Sequence, residues 1–317
     1  MAEKDRKLPL IILTGPTAVG KTKLSVALAK ALDGEIISAD SMQVYRHMDI
    51  GSAKVSKEEM DGVPHHLIDV LEPEEEFNVV LFQKLAKEAI ADICSRSKLP
   101  ILVGGTGFYI QSVLYDIDFT QTREDTGYRS SLERIALEKG PEFLHQMLKE
   151  ADPEAAAQIH ANNVKRVIRA LEYHAQTGEK ISLHNQEERQ KEAAYRSRYF
   201  VLTDDREKLY ARIDRRVDEM ISGGLVDEVK ALRERGLRKG MVSMQGLGYK
   251  EILSCLEGEY DLERAVYLIK RDTRHFAKRQ ITWFKREKNV IWVDRSRFLD
   301  ENNILQFLIE QAEEVRR

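Results

Sequence analysis

The sequence has only two cysteines, Cys94 and Cys255, far apart and in no metal-ligand spacing. Their scarcity argues against a zinc site and for buried thiols in a reducing compartment. No run of 18 apolar residues occurs, so no segment reads as a membrane-spanning helix. The amino terminus, Met1-Ala2-Glu3-Lys4-Asp5-Arg6-Lys7, mixes charges and lacks the apolar stretch of a secretory leader. A surplus of one charge is missing too: 50 basic residues stand against 53 acidic ones, a formal net charge of −3. Any contact with a polyanion must therefore come from local clustering. Internal repeats and low-complexity tracts are also lacking. The expectation is a cytoplasmic protein with no membrane partner, and its length suggests about two domains.

What is present begins at Gly15-Pro16-Thr17-Ala18-Val19-Gly20-Lys21-Thr22. The apolar run Leu10–Leu13 leads into it and the helix-like segment Lys23–Lys30 leads out. G-x-x-x-x-G-K-T between strand and helix is the context a phosphate loop requires. Its backbone N–H groups and the positive end of the helix surround polyphosphate oxygens. Lys21 is placed to reach terminal phosphates, and the Thr22 hydroxyl to ligate Mg²⁺. The loop predicts binding of a diphosphate or triphosphate, with Mg²⁺ as cofactor, and leaves the reaction open.

Residues 8–115 alternate apolar runs with amphipathic segments. Leu10–Leu13, Glu35–Ser38 and Leu99–Val103 read as strands, Lys21–Ala31 and Val79–Ser95 as helices. That alternation predicts an α/β fold with a parallel, doubly wound sheet. From Phe119 to Ser197 the chain turns polar and helical. Asp125–Lys139, Pro141–Glu150, Pro153–Ile159 and Asn163–Gln176 read as short helices broken by Gly140, Pro153 and Gly178. Strand patterns return at Arg198–Leu202 and Val290–Val293, with mainly helical sequence between. The expected organisation is a core of residues 1–118 and 198–317 with a helical insertion at 119–197.

Several clusters beyond the loop carry possible chemistry. Asp40, in Ser38-Ala39-Asp40-Ser41-Met42-Gln43-Val44-Tyr45, sits at the carboxyl end of the second strand, where ligands gather in open parallel sheets. It can hold Mg²⁺ through water, accept a proton, or simply cap the next helix. Gly104-Gly105-Thr106-Gly107-Phe108-Tyr109 follows the third strand, either as a turn or as a second wall of the same site. The three loops must emerge at one end of the sheet. His65 and His66 have no third ligand in spacing, which favours a structural role. Arg212 and Arg216 share a helix face and suit phosphate. From Arg264 to Lys288 there are nine basic residues and two acids, interleaved with Tyr267, His275, Phe276, Trp283 and Phe284. That pattern fits a nucleic-acid face and equally a solvated helix with aromatics in the core. Lys165, Arg166 and Arg169 form a second basic spot.

In this order, these stretches resemble the tRNA dimethylallyltransferase (tRNA isopentenyltransferase) family over nearly the whole chain. The most particular matches are Asp40-Ser41-x-Gln43 and Lys278-Arg279-Gln280-Ile281-Thr282-Trp283, with Gly246-Leu247-Gly248-Tyr249 between them. The resemblance is to the shorter bacterial form, since no Cys₂His₂ spacing occurs. It implies transfer of a dimethylallyl group from its diphosphate to N6 of the adenosine 3′ of the anticodon. Asp40 would take the amine's proton and Thr106 would orient the amine. Lys21, Mg²⁺ at Thr22 and Arg216 would stabilise the leaving diphosphate. The tRNA would be read by Asp40, Ser41, Met42, Gln43, Thr106, Gly246–Tyr249 and Lys278, Arg279, Gln280, Trp283 and Lys285. Arg129 and the stretch Lys165, Arg166, Val167, Ile168, Arg169 would grip backbone. The implied partners are the anticodon stem-loop and dimethylallyl diphosphate, and a monomer is expected. The competing readings are prenylation of free AMP or ADP, and a small-molecule kinase built on the same loop.

Overall fold

Leu10, Ile11, Ile12 and Leu13 are all fully buried, as a central parallel strand covered on both faces demands. Each such side chain contributes about 1.5–3 kcal/mol on leaving water. The computed structural model describes residues 7–119 and 126–316. The leader reading of residues 1–6, the helix start expected at Asp125 and the terminal Arg317 lie outside them.

Six parallel strands form one sheet: β1 (Pro9–Thr14), β2 (Gly34–Ala39), β3 (His65–His66), β4 (Leu99–Gly104), β5 (Arg196–Thr203) and β6 (Val290–Asp294). Their spatial order is β3-β2-β4-β1-β5-β6. The two-residue strand β3 has no signal in the sequence pattern. Glu35 Oε2 accepts from His66 Nε2 there (2.8 Å), and Arg96 pairs with the same carboxylate. These contacts, Arg96 first, hold Glu35 down at about 2.

The helices Lys21–Leu32 and Glu301–Arg316 cover part of the sheet. Leu24, Leu28, Ile304 and Leu308 join Ile11, Leu13, Phe200 and Leu202 in one core. Helix Val79–Ser95 packs against β2 and β4 through its buried face of Phe82, Ala86, Ile90 and Ile93.

The topology decides where a ligand can sit. From β1 the chain moves outward to β2 and β3, then returns to β4 between β2 and β1. It later crosses to β5 on the other side of β1. The carboxyl ends of β2, β4 and β1 are therefore neighbours at a switch point, where such sheets bind ligands. The Thr14 hydroxyl donates to Gly104 O (2.6 Å) and ties two of these strand ends together.

The chain divides into two units at Leu114/Tyr115 and Ala193/Ala194, a few residues before the edges expected at 119 and 198. The smaller unit, taken by itself, contains helices Thr126–Lys139, Pro141–Ala151, Pro153–Gln158, Val164–Thr177 and Ile181–Gln190. The last is additional to the four expected from the sequence. Leu132, Leu144, Leu148, Val167, Ile168 and Leu171 form its core. Val167 and Ile168 are thus packing residues and not RNA contacts, because the helical period turns them away from exposed Lys165 and Arg166. Asp152 is buried and accepts from Ala155 N–H (3.0 Å), Ser182 N–H (2.9 Å) and the Ser182 hydroxyl (2.7 Å). One carboxylate thereby fixes the starts of two helices.

Candidate active site

The loop after β1 is held in shape by groups distant in sequence. Ala18 lies at φ 60°, a left-handed conformation costing an L-residue about 1–2 kcal/mol. Arg212, on helix Arg206–Ser222, donates from Nε to Ala18 O (2.9 Å) and from Nη2 to the buried Asp204 (2.7 Å). Asp204 also faces Arg295 Nε at 3.7 Å. Asp204 and Arg295 are not singled out by the sequence, since nothing local marks their pairing. Arg212 is consequently a brace for the loop, whereas its neighbour one turn on, Arg216, lines the cavity.

Lys21 Nζ donates to Gly15 O (3.0 Å) and Pro16 O (2.8 Å). Burial, then the nearby Arg216 charge, push its ammonium down to about 7, with Asp40 opposing them. Arg216 is also lowered, first by burial, with Asp40 again acting the other way. Two cations and one carboxylate therefore converge at the ends of β1 and β2. Such a site favours a polyanion, which restores the charge on Lys21.

Asp40 Oδ1 accepts from Met42 N–H (2.8 Å) and Gln43 N–H (3.3 Å). It caps a turn and not a helix, and the same residue borders a cavity of about 450 Å³. Thr106 borders it too, with its own N–H on Ala39 O (3.4 Å), one residue before Asp40. Asp40 and Thr106 thus face one space, beside the loop residues Thr17 and Ala18. Ile213, Val217 and Met220 give this space an apolar wall. The spacing i, i+4, i+7 on the helix of Arg216 is a readable signal for that wall. Phe77 and Phe276 add aromatic surface.

Of the residues expected to read a base, Ser41, Met42, Gly246 and Leu247 line the cavity. Gln43 does not: its amide nitrogen bonds Ala53 O (3.2 Å) and its oxygen accepts from Ser38 (3.3 Å). Tyr249 is fully buried and donates to Glu228 (2.7 Å), so it is a structural residue. Gly248 caps the helix that Tyr249 begins.

Within the basic segment, Lys270 pairs with Asp218 (2.8 Å) and Arg274 with Asp214 (2.5 Å). Arg271 bonds Asp272 (2.7 Å). The remaining charge concentrates near the end of helix Leu262–Phe284. There Lys278, Arg279, Trp283 and Arg286 border a second, outer groove, with exposed Lys285 beyond it. Gln280 points the other way, into the cavity. In the smaller unit Lys165, Arg166 and Arg169 are exposed, and Arg129 faces the buried Glu172 at 3.6 Å.

Comparison with known proteins is decisive for the family. The family described as IPP transferase matches residues 43–287, and one described as isopentenyl transferase matches residues 8–75. A tRNA dimethylallyltransferase of Lachnoclostridium phytofermentans is 61% identical over 302 residues, 95% of this chain and 96% of that protein. The chain belongs to the IPP transferase family. Two solved structures place this IPP transferase among related folds. The tRNA isopentenylpyrophosphate transferase of Bacillus halodurans shares 47% identity over 98% of each chain, with TM-score 0.74. A eukaryotic dimethylallyltransferase acting on tRNA shares 31%, covering 96% of this chain and 78% of its own, with TM-score 0.82. Among the described residues, no helix of this transferase is long and apolar enough to cross a membrane.

Proposed function

We propose that this IPP transferase moves a dimethylallyl group from dimethylallyl diphosphate to N6 of the adenosine 3′ of the anticodon in tRNA. The observation that carries the reading is the convergence of Asp40, Thr106 and Arg216 on one partly apolar cavity, with Lys21 close enough to Arg216 and Asp40 to feel both charges. The diphosphate binds at the loop, and the isoprenoid chain lies against Ile213, Val217 and Met220. The N6 lone pair forms a bond to C1 of the chain while the C1–O bond breaks and its electron pair leaves with diphosphate. Adenine N6 is a weak nucleophile, so Asp40 takes its proton as the bond forms. Thr106 orients the amine through a hydrogen bond. Lys21 and Arg216 stabilise the charge gathering on the leaving group.

The residues present suit Mg²⁺. Thr22 is exposed on the first turn of helix Lys21–Leu32 and would hold the ion together with diphosphate oxygens, as Mg²⁺ sites with few protein ligands do. Bound there, the ion supplies further neutralisation of the leaving group.

The target base must leave its stack to enter the cavity. The outer groove and the exposed Lys165 and Arg166 are suited to phosphate. The enzyme acts on tRNA as a monomer in the cytoplasm. The test is to supply ATP and dimethylallyl diphosphate together and follow which is consumed on adding tRNA. Dimethylallyl diphosphate should fall with release of diphosphate, and ATP should not. Consumption of ATP alone would favour a kinase.

A further inference from the structure

Helix Leu262–Phe284 carries the outer basic groove on one side and reaches two catalytic loops on the other. Gln280 is the contact. It is 6% exposed, its Nε2 donates to Gly105 O (2.9 Å), and its Oε1 accepts from Thr17 N–H (2.9 Å). One side chain therefore bridges the phosphate loop and the loop that presents Thr106, satisfying both of its own polar atoms. The approach is close enough to require glycine opposite. A Cβ at position 105 would fall 2.2 Å from Gln280 Nε2. One turn on, Trp283 repeats the arrangement: a Cβ at position 107 would fall 2.2 Å from its Cδ1. The Trp283 ring also meets Phe108 edge-on at 6.2 Å. Thr106 thus sits between two glycines on which this helix rests.

The other side of the same segment presents Lys278, Thr282 and Arg286 to the outer groove, while Arg279 borders both groove and cavity. A ligand that fixes the groove fixes the helix, and a rigid helix can pass that constraint to whatever its inner face holds. We propose that Gln280 is a positioning residue through which RNA docked in the outer groove tightens the diphosphate site. This rests on the tRNA reading above. It also moves Gln280 from reading a base to bracing the loops. Linkage requires the effect to be reciprocal, so diphosphate tightens RNA binding by the same factor.

The test measures binding of inorganic diphosphate with Mg²⁺, alone and with an anticodon stem-loop RNA, to wild type, Gln280→Met and Gln280→Glu. In wild type the RNA should tighten diphosphate by about fivefold or more. Gln280→Met, which loses both hydrogen bonds but keeps the volume, should lose the coupling, read as the ratio of its own diphosphate affinities with and without RNA, whatever its affinity for diphosphate alone. Gln280→Glu keeps the acceptor for Thr17 and loses the donor to Gly105, so its coupling should be intermediate. In turnover the loss of coupling should raise KM for the donor at saturating tRNA and KM for tRNA at saturating donor by similar factors, with a smaller change in kcat.

RNA that binds wild type without coupling, or coupling that survives in Gln280→Met, overturns this proposal alone. RNA that fails to bind wild type overturns the tRNA reading with it. Should Gln280→Met not fold, hydrogen exchange of the Thr17 amide in wild type decides. It should slow by about fivefold or more with RNA bound, and an unchanged rate overturns the coupling.

Discussion

The loops at the sheet edge and the basic helix of the smaller unit use charge in opposite ways. At the sheet edge, charged and polar groups are held from several sides: Arg212 by Asp204 and Ala18, Lys21 by two carbonyls, and Asp40 by two amides. In the smaller unit, Lys165 and Arg166 project from an amphipathic helix whose other side, Val167, Ile168 and Leu171, builds the core. The first arrangement fixes where a charge sits before the substrate arrives, which is what lowers a barrier. The second leaves long side chains free to follow a backbone whose phosphates need only be neutralised. Substitutions in the first region should act on the rate of the chemical step or on donor binding. Those in the second should act on RNA affinity and its salt dependence.

The sharpest break in that contrast comes from Asp40→Asn. The amide keeps the turn, since its oxygen can still accept from Met42 and Gln43, but it cannot take a proton. Single-turnover transfer should fall by about 10²–10⁴-fold, with both substrates bound as before. A near-normal rate would return Asp40 to a purely turn-capping role. Lys21→Ala should cost about 10²-fold or more in the same assay while RNA affinity stays intact.

Lys21 also makes a prediction about pH. Its free-state value is held at about 7 by burial and by Arg216, and a bound polyanion should raise it. Diphosphate binding near pH 8 should therefore take up a proton. Calorimetry in buffers of different ionisation enthalpy should detect the uptake, and Lys21→Met should lose it. Affinity should decline as the pH rises above about 7. An equal uptake in the variant would assign the proton to another group.

Bracing groups should have smaller effects. Asp204→Asn weakens the partner of Arg212 and should raise KM for the donor by about tenfold through the strained Ala18 turn, at a stability cost of about 1–3 kcal/mol. Double substitution of Lys165 and Arg166 by alanine should leave single-turnover rates unchanged at saturating RNA. It should make log K against log salt shallower by about 0.7–0.9 for each phosphate that is no longer neutralised.

The mildest effect is acid stability. Glu35 is held at about 2 by Arg96 and His66, below the ordinary glutamate value of 4.5 that it regains on unfolding. Its contribution is therefore complete above about 4.5 and is lost as the pH falls towards 2. Urea titrations across that window should show less pH dependence in Glu35→Gln.

The sheet and the three loops at its edge are legible in the sequence because their signals are local. An apolar run before a glycine-rich loop, or an acid just after a strand, needs no knowledge of the rest of the chain. The helical insertion is legible for the same reason, through composition and breakers. The direction in which a polar side chain points is not. Gln43, Tyr249 and Gln280 look alike as candidates for base recognition, yet each is committed to a partner inside the protein. The partners of Tyr249 and Gln280 lie far away in sequence. Val167 and Ile168 stand in one stretch with their basic neighbours, although the helical period separates the two sets. The bridge from Asp204 to Arg295 and Arg212 joins three segments that no pattern in the sequence relates.

The central claim is that this cavity places an isoprenoid chain on an adenosine of tRNA. Its most direct test is tandem mass spectrometry of nuclease fragments from unmodified tRNA incubated with the enzyme, Mg²⁺ and dimethylallyl diphosphate. A single adenosine, the one 3′ of the anticodon, should carry one dimethylallyl group at N6, and Asp40→Asn should give almost none. Unmodified tRNA, or free AMP prenylated as readily as tRNA, would contradict it.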